Sequence, residues 1–181
     1  MSSKKSGDWV LKIAILGDAG VGKTSLVNQF VDNSFKEDYK ATIGANILKK
    51  DVKLPQLNST AKMVLWDIAG QTQYEKARSA YYEGCSGALL VYDITRYSSF
   101  DNISARWLSD YRKHVKKEQL YILVGNKNDL EHQRGVNNED GASLAEKIEA
   151  LEFIETSAKD NINVNEAFTK LAEAIIKLKT S

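Results

Sequence analysis

The stretch Gly17-Asp18-Ala19-Gly20-Val21-Gly22-Lys23-Thr24-Ser25 decides the fold. It follows the apolar run Val10 to Leu16 directly, and a helix-period segment follows it. A turn needs glycine, but it does not need the Lys23-Thr24 pair. The spacing from Gly17 to Thr24 is G-x-x-x-x-G-K-[ST], the phosphate-binding pattern, in the strand-before and helix-after context that gives the pattern meaning. Glycines let successive backbone N–H groups curl toward an anion, and the helix adds its positive N-terminal end. Lys23 brings a point charge to the outer phosphates, and the Thr24 hydroxyl suits Mg²⁺. Taken alone, this loop leaves open a GTPase switch, an ATP-using small-molecule kinase and a nucleotide-holding scaffold.

Outward from the loop, apolar runs alternate with helix-period segments. The patterning predicts strands near 9–16, 44–54, 60–67, 87–93, 119–125 and 152–156. It predicts helices near 23–32, 73–83, 99–117, 138–149 and 164–179. The runs Val10 to Leu16, Gly87 to Tyr92 and Leu120 to Val124 are almost wholly apolar, as parallel strands covered on both faces are. The stretch 47–66 alternates more roughly around the only proline, Pro55, and suits an antiparallel edge hairpin. The expected fold is α/β: a doubly wound, six-stranded, mostly parallel sheet with one antiparallel edge strand and about five helices. Phe100, Ile103, Trp107, Leu108, Tyr111 and Val115 form one core stripe, and Val164, Ala167, Phe168, Leu171, Ile175 and Leu178 form another. Ser98-x-x-Asp101 and Asn163-x-x-Glu166 have capping-box spacing.

Composition bounds the rest. The chain has 181 residues, a net charge of +1 and one cysteine, Cys85. One domain is expected over 9–181, preceded by a flexible tail, 1–8. No apolar run approaches the ~20 residues of a membrane helix, and residues 1–8 lack the apolar core of a secretory signal. A lone cysteine excludes an internal disulfide and suits a reducing, cytoplasmic setting. His114 and His132 form no metal cluster. Lys49-Lys50 and Lys116-Lys117 are expected to be solvated faces, so no nucleic-acid partner is expected.

Further chemistry falls at strand ends, where doubly wound sheets collect ligands. After the fifth strand comes Gly125-Asn126-Lys127-Asn128-Asp129. An ionised carboxylate only accepts hydrogen bonds. Guanine presents an N1–H and an amine on one edge, so Asp129 can take both and select guanine over adenine. Asn126 can support the base or tie its loop to 17–24, and the Lys127 stem can lie over the ring. Ser157-Ala158-Lys159 offers a backbone amide to the base carbonyl. After the third strand, Asp67 suits Mg²⁺ through water, Gly70 leaves its N–H open to a γ-phosphate, and Gln71 suits orientation of an attacking water. The Thr42 hydroxyl can complete the Mg²⁺ shell, and Phe35 can cover the base edge.

These residues, in this order, resemble the Ras superfamily of small GTPases over about residues 9–179. Trp66 to Gln71, Tyr81-Tyr82-Glu83-Gly84, Gly87 to Thr95 and Tyr97 to Phe100 are similar to the Rab branch. The resemblance implies a switch between GTP and GDP with Mg²⁺ and slow hydrolysis, in vesicle or membrane trafficking. Position by position, it implies phosphate and Mg²⁺ contacts from Gly17, Ala19, Gly20, Val21, Gly22, Lys23, Thr24 and Ser25. Gln71, Lys23, Thr42 and Gly70 would serve hydrolysis, and Thr24, Thr42 and Asp67 the metal. Phe35, Asn126, Lys127, Asp129, Ser157, Ala158 and Lys159 would hold guanine. It further implies a monomer, with an exchange factor, a GTPase-activating protein and effectors contacting 35–47 and 67–82. Ile47, Trp66 and Tyr81 match an apolar effector patch, although Trp66 suits the core equally. Ile47 stands where Rabs usually carry an aromatic, and Thr72 where they carry glutamate. The sequence ends at Lys177-Leu-Lys-Thr-Ser181 without cysteine, so residence at the cytosolic face of membranes is expected through a partner or a lipidated tail outside this sequence.

Overall fold

The computed structural model describes residues 7–38, 40–115 and 120–181. Six strands form one sheet in the order β2-β3-β1-β4-β5-β6. They are β1 (Asp8–Leu16), β2 (Ala45–Leu54), β3 (Ser59–Ile68), β4 (Gly87–Asp93), β5 (Tyr121–Asn126) and β6 (Phe153–Thr156). β2 alone runs antiparallel, against β3 at the edge; the other neighbours pair parallel. The expected architecture is therefore present. The only proline opens a short 3₁₀ turn, Pro55–Leu57, that closes the edge hairpin.

The helices are α1 (Lys23–Asp32), α2 (Glu75–Tyr82), α3 (Tyr97–Asn102), α4 (Ser109–His114), α5 (Asn138–Lys147) and α6 (Val164–Thr180). A π-helical segment, Ile103–Leu108, joins α3 to α4. The single helix expected near 99–117 is thus a rod with a π turn inside it, and its last two residues lie outside the described ones. The first residue of the strand expected near 119–125 lies outside them too. The expected tail, 1–8, falls mostly outside them, and its last residue belongs to β1, paired with Thr60.

Strand side chains alternate between two cores, as the period of two requires. Ile13, Ile15, Leu89, Val91, Ile122 and Val124 face α1 and α6. Ala14, Leu16, Ala88, Leu90, Tyr92, Tyr121 and Leu123 face the α3–α4 rod and α5. Phe30 of α1 stacks on Phe168 of α6 at 4.1 Å. Both sides of the central strands are thereby covered, which is why β4 is buried along its whole length. The polar chain segments that leave these strands are gathered at one rim.

Neither capping box forms. Ser98 lies inside α3, whose first residue is Tyr97. Asn163 adopts a left-handed conformation, and its side chain donates to the Glu155 carbonyl instead. Lys50 is also not a solvated lysine: its ammonium bonds the Phe30 carbonyl and lies 4.4 Å from the Phe30 ring centroid. Leu178 remains 40% exposed, off the core stripe. The Cys85 thiol is half-buried and donates toward the Tyr81 carbonyl.

Candidate functional site

The loop between β1 and α1 opens onto a cavity of about 670 Å³. Ala19, Gly20, Gly22, Lys23, Thr24, Ser25, Phe35, Thr42, Gly70, Gln71, Asn126, Lys127, Asp129, Ala158 and Lys159 line it. Four expected residues stand behind this lining: Gly17, Val21, Asp67 and Ser157 are buried. Two glycines make the geometry possible. Gly22 has φ +99°, and a Cβ there would meet Asn126 Nδ2 at 2.3 Å. A Cβ on Gly70 would meet the Ala19 nitrogen at 2.3 Å and the Gly17 carbonyl oxygen at 2.7 Å. Only glycine lets the chain leaving β3 press against the phosphate loop.

Lys23 is nearly buried and donates to the carbonyls of Gly17 at 2.7 Å and Asp18 at 2.9 Å. Burial pushes its ammonium down to about 8, against the opposing pull of the Asp67 and Asp18 carboxylates. Next to it, three oxygen-bearing side chains converge. Thr24 Oγ1 donates to Asp67 Oδ2 at 2.5 Å and lies 3.0 Å from Thr42 Oγ1. Thr42 Oγ1 reaches the same carboxylate oxygen at 3.4 Å. Burial raises the Asp67 carboxyl above the usual carboxylate range, and its Oδ1 makes no hydrogen bond among the described residues. Hard oxygen donors with one carboxylate oxygen unused are a donor set that Mg²⁺ takes.

The loops after β5 and β6 are tied together and to the phosphate loop. Asn126 Nδ2 donates to the Val21 carbonyl at 2.9 Å. Its Oδ1 accepts from Thr156 Oγ1 at 3.0 Å and from the Ala158 amide at 3.3 Å. Of its two expected uses, Asn126 here serves the tie. Ser157 Oγ donates to Asp129 Oδ1 at 2.7 Å, which fixes the carboxylate at the cavity wall. Lys127 has φ +72° and pairs with Asp93 at 2.7 Å.

Sequence reasoning missed several contributors. Asn28, Lys36, Glu37, Asp38, Lys40 and Leu130 also line the cavity. Most sit in the irregular loop after α1, whose residues carry no periodic signal. Arg134 was missed as well. Its Nη1 and Nη2 fork onto Glu155 at 2.7 and 2.9 Å, while Nε and the same Nη2 hold Glu131. It thereby braces the segment after β5 against β6. A lone arginine in a polar stretch gives no sign of that until β6 is placed beside it.

A doubly wound sheet with a glycine loop and a buried lysine between its first strand and helix defines a P-loop nucleotide-binding protein. The chain matches the family model described as the Ras family over residues 12–177. It is similar to Ras-related protein Rab2BV of Beta vulgaris, 43% identical over 168 residues, spanning 93% of this chain and 77% of that protein. It is similar to Ras-related protein RGP2 of Oryza sativa subsp. japonica, 46% identical over 160 residues (88% and 72%). Ras-related protein Rab11D of Lotus japonicus is 44% identical over 174 residues (94% and 77%). The chain belongs to the Ras family of small GTPases, which bind guanine nucleotide and hydrolyse GTP. Among the described residues no helix is long and apolar enough to cross a membrane.

Proposed function

We propose that this chain is a Rab-type switch in membrane trafficking, monomeric, holding GTP or GDP with Mg²⁺ in the cavity beside Gly17–Thr24. The supporting observation is that one cavity is lined both by Lys23 and Thr24 and by Asp129. The backbone of Gly17 to Ser25 and the Lys23 ammonium take the phosphates, Lys23 exchanging its loop carbonyls for phosphate oxygens. Thr24, Thr42 and Asp67, whose oxygens converge, would hold the metal. Mg²⁺ held there would supply positive charge to the phosphate. Gly70 offers its N–H to the γ-phosphate, and Gln71 aligns the water for in-line attack. Asp129 accepts from the guanine N1–H and amine, the Ala158–Lys159 backbone faces the base carbonyl, and Lys127 and Phe35 flank the base.

The segments 35–47 and 67–82 form the surface for exchange factors, activating proteins and effectors. Ile47 is 45% exposed and sits in register opposite the half-buried Trp66, which lies 5.9 Å from the Tyr81 ring. Lys12 lies 3.9 Å above the Trp66 ring and covers part of it.

Nucleotide released from the purified protein by denaturation tests the reading. Chromatography should find GDP or GTP at close to one per chain, released faster when EDTA is added. ADP in its place would exclude the guanine assignment, and release indifferent to EDTA would remove the metal.

A further inference from the structure

The helix after Gln71 is held by two polar side chains. The buried residues of α2 are Arg78 and Tyr82. The Arg78 side chain is fully buried, yet its nitrogens make no hydrogen bond among the described residues. Its nearest carboxylates are Asp110 at 3.5 Å and Glu75 at 3.7 Å. Its guanidinium carbon lies 4.7 Å from the Trp107 ring centroid, a cation–π contact.

The same indole reaches the phosphate loop. Trp107 Nε1 donates to Asp18 Oδ1 at 2.7 Å, and Asn102 Nδ2 donates to Asp18 Oδ2 at 2.7 Å. Asn102 and Trp107 are five residues apart. On an α-helix, at 3.6 residues per turn, they would diverge by roughly 140°. The π-helical segment Ile103–Leu108 bonds i to i+5 and brings them onto one face. Both donors can then meet one carboxylate. Asp18 is held on both sides, because its carbonyl accepts from Lys23 within the loop. The Arg96 guanidinium secures the next carbonyl, Ala19, at 2.8 Å.

We propose that Trp107 is a positioning residue that couples α2 to the phosphate loop, fixing Asp18 through its N–H and carrying Arg78 on its ring. This rests on the reading of the cavity as a GTP site, since Gly70 and Gln71 lead from that cavity into α2. A γ-phosphate that draws in Gly70 displaces Arg78 against the indole. The indole in turn shifts Asp18, and with it the backbone of the phosphate loop. Coupling of this kind travels through packed side chains that the two ligand states bias differently.

Trp107 can report on itself. Replacing Trp9 and Trp66 by Phe leaves it the sole tryptophan of the three in the chain. Its emission should differ between GDP and a non-hydrolysable GTP analogue. Arg78→Met should abolish the difference while both nucleotides still bind. Equal emission in the two states, or a difference that survives Arg78→Met, would overturn the coupling. In the parent chain, Trp107→Phe keeps a ring beneath Arg78 and removes the N–H. It should speed GDP release about ten-fold, the loss of one charge-assisted hydrogen bond. Asp18→Asn should do the same, and the double variant should be no faster than either single one. Additive effects would sever Trp107 from Asp18. Should Trp107→Phe not fold, Asn102→Leu removes the other donor and replaces it in the cycle. Bound nucleotide is counted by chromatography in every sample. A parent chain without guanine nucleotide sinks the reading of the cavity, whereas full binding with unresponsive emission sinks the coupling alone.

Discussion

The Thr24 hydroxyl donates to Asp67 Oδ2 at 2.5 Å across 43 residues of sequence. This contact joins the phosphate loop to the end of β3 and leaves the other carboxylate oxygen without a hydrogen bond among the described residues. Parallel pairing of β1 with β3 creates it, because both strands deliver their carboxyl ends to the same rim. A hydroxyl and a buried carboxyl meeting in this way make a ready place for a divalent cation.

Thr24→Asn should therefore disturb the metal before the base. The amide is bulkier than the hydroxyl and crowds both Thr42 and Asp67. Mg²⁺ binding should weaken at least about ten-fold, and the preference should move from GTP toward GDP, whose binding leans less on the metal. Nucleotide competition with and without Mg²⁺ measures both effects. Binding that keeps its full Mg²⁺ dependence would take Thr24 out of the metal shell.

Asp129 offers a cleaner test of base reading, because Ser157 fixes its carboxylate at 2.7 Å. Asp129→Asn presents an amide N–H where guanine presents its own donors. GTP affinity should fall on the order of a hundred-fold or more, as for other unpaired polar groups in a specific site. Xanthosine triphosphate, with a carbonyl in place of the amine, should be favoured instead. Ser157→Ala should cost less, about the ~1 kcal/mol of an ordinary hydrogen bond. Competition between the two triphosphates decides the matter, and unchanged GTP affinity in Asp129→Asn would refute the role.

The gathering of these residues at one cavity was legible in the sequence because each lies in a short motif directly after a strand. Gly17–Thr24, Asp67–Gln71 and Asn126–Asp129 needed only that their strands run parallel in one sheet. What escaped the sequence depends on side-chain partners far apart along the chain. Trp107 has the spacing of a core residue and is buried as one, but its N–H serves Asp18 because a π turn rotates it there. Periodicity at 3.6 residues cannot anticipate such a turn. Lys50 was misjudged for a related reason. Its neighbour Lys49 is exposed on the edge strand, while Lys50 points to the other face and reaches Phe30. Asn163 carried capping-box spacing, yet the Glu155 carbonyl competed for its side chain once β6 lay beside it.

Cys85 gives a pH-dependent prediction away from the site. Burial pushes its thiol up from 9 to about 11, with Lys12 opposing weakly. The folded state thus resists forming the thiolate, whereas the unfolded chain forms it freely above its ordinary value. Stability from keeping the thiol protonated is complete below pH 9 and is lost as pH rises from 9 to 11. Over that interval the Tm should fall further in the parent protein than in Cys85→Ala. Thiolate is the reactive form, so Ellman's reagent should also label folded protein slowly at pH 8. Parallel Tm curves for the two proteins, or labelling as fast as in the unfolded chain, would contradict the buried thiol.

The rate of hydrolysis follows from which cations reach the phosphates. In-line attack needs an aligned water and positive charge on the developing phosphate oxygens. Gln71 lines the cavity, as do Lys23, Lys36 and Lys40. The stretch 34–42 contains lysines but no arginine. Arg96 approaches the loop, but it is committed to the Ala19 carbonyl, and Arg96 is not among the cavity-lining residues. A lysine cannot provide the planar fork of a guanidinium. Unaided turnover should therefore be slow, on the order of 10⁻⁴ to 10⁻³ s⁻¹, the range of Ras-type GTPases, with strong acceleration by a partner that inserts an arginine. Gln71→Leu should suppress the remaining rate and spare GTP binding, because the hydrogen bond its side chain makes is to Gln73 and not to the phosphate loop. Single-turnover hydrolysis on the purified chain measures both. An unaided rate near that of a partner-stimulated enzyme would make the missing arginine irrelevant, and a Gln71→Leu variant that hydrolyses GTP at the parent rate would remove Gln71 from the mechanism.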